Sequence, residues 1–172
     1  HQSMFDIAVI GGLLFSNYPK YVSKKELGRW LPSISLNLRH GGNALIDRKN
    51  PRQAVESIKA MARIAQDRDV SVVIFPEGTR SRDGSLREFK RTGSRVMLEA
   101  ADRLAVVPAA IDGSWKLLRH NLMPVPFGTR IRIRFGDPIE RITGDAETVA
   151  ETAEAWIRGT LGEWRGPEPE IA

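Results

Sequence analysis

Two short constellations in this chain could do chemistry. The first is H-Q-S-M-F-D, in which His1 precedes Asp6 by five residues. Five residues turn an α-helix through about 500°, so the two side chains meet only if the histidine lies in the loop before a helix and the acid in its first turn. The apolar run behind Asp6 reads as that helix. A carboxylate bonded to one ring nitrogen would fix the imidazole tautomer and make the other nitrogen a general base. The second constellation is V-V-I-F-P-E-G-T-R-S, residues 72 to 81, where four apolar residues run into a charged loop. Pro76 would stop a strand, Gly78 would permit a turn, and Arg80 offers a charged fork suited to phosphate oxygens. The same residues also fit a solvated loop with an Arg–Glu surface pair. The loop is not a Walker cradle, since five residues separate Gly78 from Gly84 and no lysine follows the second glycine.

The elements that must position these residues follow from pattern. Asn50-Pro51 is a cap followed by proline at the first helical position, and Ala54, Ile58, Met61, Ala62 and Ala65 recur on one face. The helix delivers the chain into Ser71 to Phe75, an unbroken β-rich run of the kind buried in a parallel sheet. A further helix over 93–103 leads to the apolar run A-V-V-P-A-A-I. Strand, helix, strand predicts an α/β fold, a single domain with a mostly parallel mixed sheet flanked by helices. Upstream, N-A-L-I-D-R is a predicted strand, and Ser23 with Glu26 resembles a capping box opening a helix at Lys24. Downstream, T-R-I-R-I-R-F alternates, with Arg130, Arg132 and Arg134 on one face of a half-exposed strand near a sheet edge. A helix is expected over 145–164 with Val149, Ala153, Trp156, Ile157 and Leu161 as its stripe. The domain thus spans 1–164, and 165–172 should be a mobile tail.

Composition bounds the partners. The chain has 172 residues, 41% of them apolar, enough for one core. It has no cysteine, which excludes thiolate metal sites and a cysteine nucleophile. Three scattered histidines do not make a metal site, and His40 and His120 read as surface residues. Twenty-six Lys and Arg against 21 Asp and Glu give a net charge of +5 and a pI near 9.9, which suits an anionic partner: a phosphate ester, a membrane surface or a nucleic acid. The longest apolar run, Ile7 to Phe15, falls well short of the roughly 20 residues that span a bilayer. The chain opens on His1 rather than Met, so a membrane-proximal segment upstream is expected.

Together the motifs resemble those of the glycerolipid acyltransferases, the family that includes the 1-acyl-glycerol-3-phosphate acyltransferases. Its four ordered blocks are matched by His1 and Asp6, by G-N-A-L-I-D-R ending in Arg48, by F-P-E-G-T-R-S, and by V-V-P-A-A-I centred on Pro108. The match covers residues 1 to 112. One departure is F-K-R-T-G, where many family members read F-K-x-G, which shifts Lys90 by one residue.

The resemblance implies acyl transfer from a thioester, on coenzyme A or acyl carrier protein, to a hydroxyl of a glycerol-phosphate lipid acceptor, with no cofactor and no metal. The acceptor would be 1-acyl-sn-glycerol 3-phosphate, glycerol 3-phosphate or another lysolipid. It further implies His1 and Asp6 as the catalytic pair, Arg48, Glu77, Gly78, Thr79, Arg80 and Lys90 at the acceptor, and Pro108 in the site wall. Glu77, an anion, would orient Arg48 or Arg80 or meet a glycerol hydroxyl. A membrane-associated position on the cytoplasmic face fits such substrates and the basic cluster of Lys20, Lys24, Lys25 and Arg29. The stretch from Trp115 to Phe127 would line an acyl groove, dock on lipid or simply pack over the core. A nucleic-acid-binding module, motivated by the arginine strand, is the reading from another class; it lacks interleaved aromatics.

Overall fold

A computed structural model describes residues 1–3, 5–17, 19–24, 43–47, 49–118, 126–141 and 145–166. The chain divides into two compact units, one of His1–Ala8, Glu77–Phe89 and Ala105–Ala172, the other of Val9–Pro76 and Lys90–Leu104. Helix α1, Phe5–Leu13, follows the first three residues.

The second unit holds a three-stranded parallel sheet in the order β2-β1-β3, formed by β1 (Lys20–Lys24), β2 (Ala44–Ile46) and β3 (Val72–Val73). Val22 stands opposite Ala44, and Lys20 opposite Val72. Two helices, α2 (Pro51–Arg68) and α3 (Arg91–Ala100), belong to the same unit. Helix α2 starts where its sequence says it should: the Asn50 side chain accepts from the Gln53 N–H at 3.0 Å, and Pro51 occupies the first turn, where its missing N–H costs nothing. Gln53 then reaches back to Asp47 N and Leu45 O, at 2.8 and 3.0 Å, binding the helix start to the end of β2. The helix ends on Asp69, whose left-handed φ of 52° is one that a short polar side chain tolerates. Its stripe of Ile58, Met61, Ala62 and Ala65 is buried, and the first three join Ala44, Val96 and Met97 in the core. Each large aliphatic side chain buried there contributes about 1.5–3 kcal/mol.

The α/β class expected from the sequence holds, with one local correction. Ser23 does not cap a helix; it lies in β1 opposite Leu45 and is buried. Tyr21 and Val22 favour a strand, and β1 is hydrogen-bonded on both edges, so the ladder outweighs a local capping pattern. Glu26, Lys25, Arg29, His40, Arg48 and His120 lie outside the described residues.

In the first unit β4 (Ala109–Asp112) pairs antiparallel with β5 (Arg132–Phe135) in a sheet of its own. The last helix, α4, spans Ala146–Arg165, one residue beyond the expected boundary. Arg132 donates to Trp164 O at 3.1 Å, while Arg134 pairs with Glu163 at 2.8 Å and lies over the Trp164 ring. Two of the three arginines that suggested nucleic acid, Arg132 and Arg134, are therefore engaged by α4. Trp156 of α4 and Pro108 both close on Gly136.

Candidate active site

The site grows from the start of α1. Ser3 caps the helix, its hydroxyl accepting from Phe5 N at 3.2 Å, and Asp6 in the first turn reaches back to Ser3 N at 3.1 Å. This is a capping box with aspartate in the place of glutamate. The same oxygen, Oδ2, takes Gln2 N at 2.7 Å and lies 2.9 Å from His1 Nδ1. The five-residue spacing thus has a structural cause: a carboxylate folded back over a helix start meets the cap residue and the two residues before it. Oδ1 receives the Ser114 hydroxyl at 2.5 Å. Asp6 is 0% exposed, and four donors compensate its burial. With Nδ1–H directed at Asp6, the neutral His1 ring carries its basic lone pair on Nε2. The ring is 15% exposed, within reach of solvent and substrate.

The F-P-E-G-T-R-S loop grips the same histidine by its main chain. Glu77 Oε1 meets the terminal amino group of His1, and Ser81 N donates to His1 O at 2.8 Å. Oε2 of this 4% exposed carboxylate accepts from Arg87 N at 3.1 Å. Of the partners expected for Glu77, Arg48 lies outside the described residues; the bonds its buried carboxylate makes go to the terminal amino group of His1 and to Arg87 N. Between Glu77 and Ser81 the loop carries Gly78, with φ of 64°, then half-buried Thr79 and exposed Arg80. Such a turn requires glycine, as expected. Beyond it Asp83 accepts from the hydroxyls of Ser85 and Ser81 and from Ser85 N, which together hold its carboxyl far below the usual range.

Sequence reading missed a second polar layer. Gln2 Nε2 donates to Asp112 Oδ1 at 2.9 Å and to Gly84 O at 3.3 Å, and Arg165 Nη2 reaches the same two oxygens at 2.7 Å each. Burial pushes the Asp112 carboxyl up, but the bonds from Arg165 and Gln2 and the Arg165 charge more than offset it, leaving the group below its ordinary value. Asp112-Gly113-Ser114 directly follows β4 in sequence, and a D-G-S tripeptide signals a turn but not its distant partners. Of the remaining expected site residues, Pro108 is buried and its carbonyl accepts from Gly136 N at 2.8 Å. Lys90 sits at the N-terminal boundary of α3 in the other unit, makes no side-chain capping bond and is exposed. No group of three or more metal-ligating side chains occurs among the described residues.

The chain can now be set beside known proteins. The family model described as Acyltransferase matches residues 1–112. A 1-acyl-sn-glycerol-3-phosphate acyltransferase of Cocos nucifera is 32% identical over 160 residues, 90% of this chain and 48% of that protein. One of Limnanthes douglasii is 34% identical over 69% of this chain and 41% of its own length. The human 1-acyl-sn-glycerol-3-phosphate acyltransferase alpha is 34% identical over 65% and 38%. The chain thus spans about half or less of the length of the curated relatives it matches. No solved structure matches it. The family match covers His1, Asp6 and the Glu77 loop that holds them, and on that ground the chain belongs to the acyltransferase family.

Proposed function

We propose that this chain transfers a fatty acyl group from a thioester to the hydroxyl of a glycerol-phosphate lipid, converting 1-acyl-sn-glycerol 3-phosphate to phosphatidic acid. The observation that carries the reading is the His1 Nδ1 to Asp6 Oδ2 contact of 2.9 Å, on a histidine whose carbonyl is held by Ser81 N. An alcohol is a weak nucleophile at neutral pH, and a positioned base contributes about 10² to 10⁴ in rate. Nε2 takes the hydroxyl proton as the oxygen attacks the thioester carbonyl carbon. The tetrahedral intermediate then collapses, the C–S bond breaks, and the departing thiolate recovers the proton from the imidazolium. The products are an ester and a free thiol. Asp6 stabilises the charged ring in between. No residue needs to be acylated.

Arg80, displayed between Glu77 and Ser81, is the cation we assign to the acceptor phosphate, with Arg48 and Lys90 assigned on their sequence blocks. Coenzyme A and acyl carrier protein are both donors of the right chemistry. The names of the relatives favour a monoacylated acceptor; glycerol 3-phosphate and other lysolipids are the alternatives. Attachment to the cytoplasmic face of a membrane accompanies this reading, supported by the basic charge and by fully exposed Phe127 at the end of the apolar and basic stretch. None of the described helices is long and apolar enough to cross a bilayer. Vesicle binding should rise with anionic lipid and fall with salt, and equal binding to neutral vesicles at every salt concentration refutes it.

The deciding experiment measures thiol release from acyl-CoA and acyl-carrier donors with 1-acyl-sn-glycerol 3-phosphate, glycerol 3-phosphate and monoacylglycerol as acceptors. Turnover that needs a phosphate-bearing acceptor and disappears in His1→Ala supports the reading. Full activity in His1→Ala refutes it.

A further inference from the structure

The family match ends at residue 112, yet the side chain that completes the coordination of Asp6 comes just after it. Asp6 needs a donor on each oxygen. Oδ2 is supplied from within the first six residues, whereas Oδ1 is supplied by Ser114, which is 108 residues away in sequence and 0% exposed. We propose that Ser114 is a positioning residue for the His1–Asp6 pair, acting through Asp6 and aimed by the turn that Arg165 holds.

Three observations converge on this. The hydroxyl has one proton, and its 2.5 Å distance to Asp6 against 3.4 Å to Gln2 Oε1 assigns that proton to the carboxylate. The turn is built to place it: Gly113 has φ of 94°, and a Cβ there would collide with the carbonyl oxygen of Arg130. The turn is also secured from the far side, since Asp112 accepts from both Gln2 and Arg165, and Gln2 in turn donates its main-chain N–H to Asp6. Ser114 and Asp112 thus reach the catalytic carboxylate by two routes, one direct and one through Gln2. Without the Ser114 hydroxyl, Oδ1 is a buried anionic oxygen lacking that donor, and the carboxylate is less constrained against rotating away from Nδ1.

The inference rests on the assignment of His1 as the base, and the experiment separates the two. In the intact protein, the His1 imidazole is titrated by NMR, its signals assigned by their loss in His1→Ala, and the titration is repeated in Ser114→Ala. No turnover is needed. Freed from the Ser114 bond, the carboxylate turns away from Nδ1 and the ring loses the aligned anion that favours its charged form; the His1 titration should move to lower pH. Other charges near the ring are unchanged: Glu77 on the His1 main chain, bonded also to the Arg87 main chain, and Asp112 with Arg165 beyond Gln2. In turnover, kcat should fall about tenfold with both KM values unchanged. Arg165→Met, at a partly exposed position that tolerates change, should give a smaller kcat loss of about threefold. An unmoved titration in a folded Ser114→Ala protein overturns the proposal, as does a kcat loss that merely tracks the loss of folded protein. If the titration moves but His1→Ala retains activity, the acyl-transfer mechanism fails while the positioning role stands.

Discussion

Asp6→Asn tests the site most sharply because its hydrogen bonds dictate how the amide must sit. One side of the carboxylate faces three N–H groups, from Gln2, Ser3 and His1, and the other faces the Ser114 hydroxyl. An NH₂ group placed on the first side would confront three donors. Placed on the second it meets a hydroxyl, which accepts as well as donates. The variant amide therefore keeps its oxygen on His1 Nδ1 and turns its nitrogen to Ser114. The imidazole tautomer survives, and only the negative charge is lost. A hydrogen bond to a charged partner contributes about 1.5–3 kcal/mol against about 0.5–1.5 for a neutral one, so the charged ring in the transition state loses about 1–2 kcal/mol. That corresponds to a fall in kcat of about 5- to 30-fold. The acid limb of the kcat/KM profile should move to lower pH, because removing an adjacent anion disfavours the imidazolium. Steady-state thiol release across pH 5 to 9, an assay range of roughly two units either side of an ordinary histidine pKa, provides the measurement. A loss of about 10⁴, the size seen when such a change traps the wrong tautomer, refutes the reasoning. So does a loss below about twofold.

Arg80→Lys keeps the charge but loses the fork, so it should raise the acceptor KM by about tenfold while leaving the donor KM alone; a changed donor KM would mean that Arg80 serves the other substrate. Asp112→Asn should cost stability at neutral pH but not in acid. Because the folded Asp112 carboxyl lies below its ordinary value, its contribution to stability is fully present above an unfolded pKa of about 3.9 and is lost as pH falls through the lower folded value. The melting temperatures of wild type and variant should therefore differ at neutral pH and converge in acid. A gap that is constant with pH would deny the charge any part.

Much of the fold was legible because its signals are local. Asn50, Pro51 and the stripe from Ile58 to Ala65 fix α2 within a few turns of chain, and α4 is readable for the same reason. Ser23 misled because a cap pattern is four residues wide, whereas the pairing of β1 with β2 and β3 brings together residues about 20 and 50 positions apart. In the site, His1 and Asp6 could be joined from spacing because a helix start lies between them. The bond that Glu77 takes from Arg87 N could not be read, since nothing in P-E-G-T-R names a main-chain N–H as the acid's partner. Gln2, Asp112, Ser114 and Arg165 are common polar residues whose meaning appears only when positions up to 112 residues apart are brought together.

The hold of Ser81 on the His1 carbonyl has a consequence for the history of each molecule. The main chain of His1 is held by a bond that forms only when Ser81 has arrived from far along the chain. On the proposed mechanism, a nascent or partly unfolded polypeptide that contains the histidine and the aspartate but no aligned base should leave thioesters intact. Catalytic competence thereby becomes an assay of completed folding. For a given preparation, specific activity should count native molecules rather than total protein, and it should recover on refolding no sooner than this distant contact.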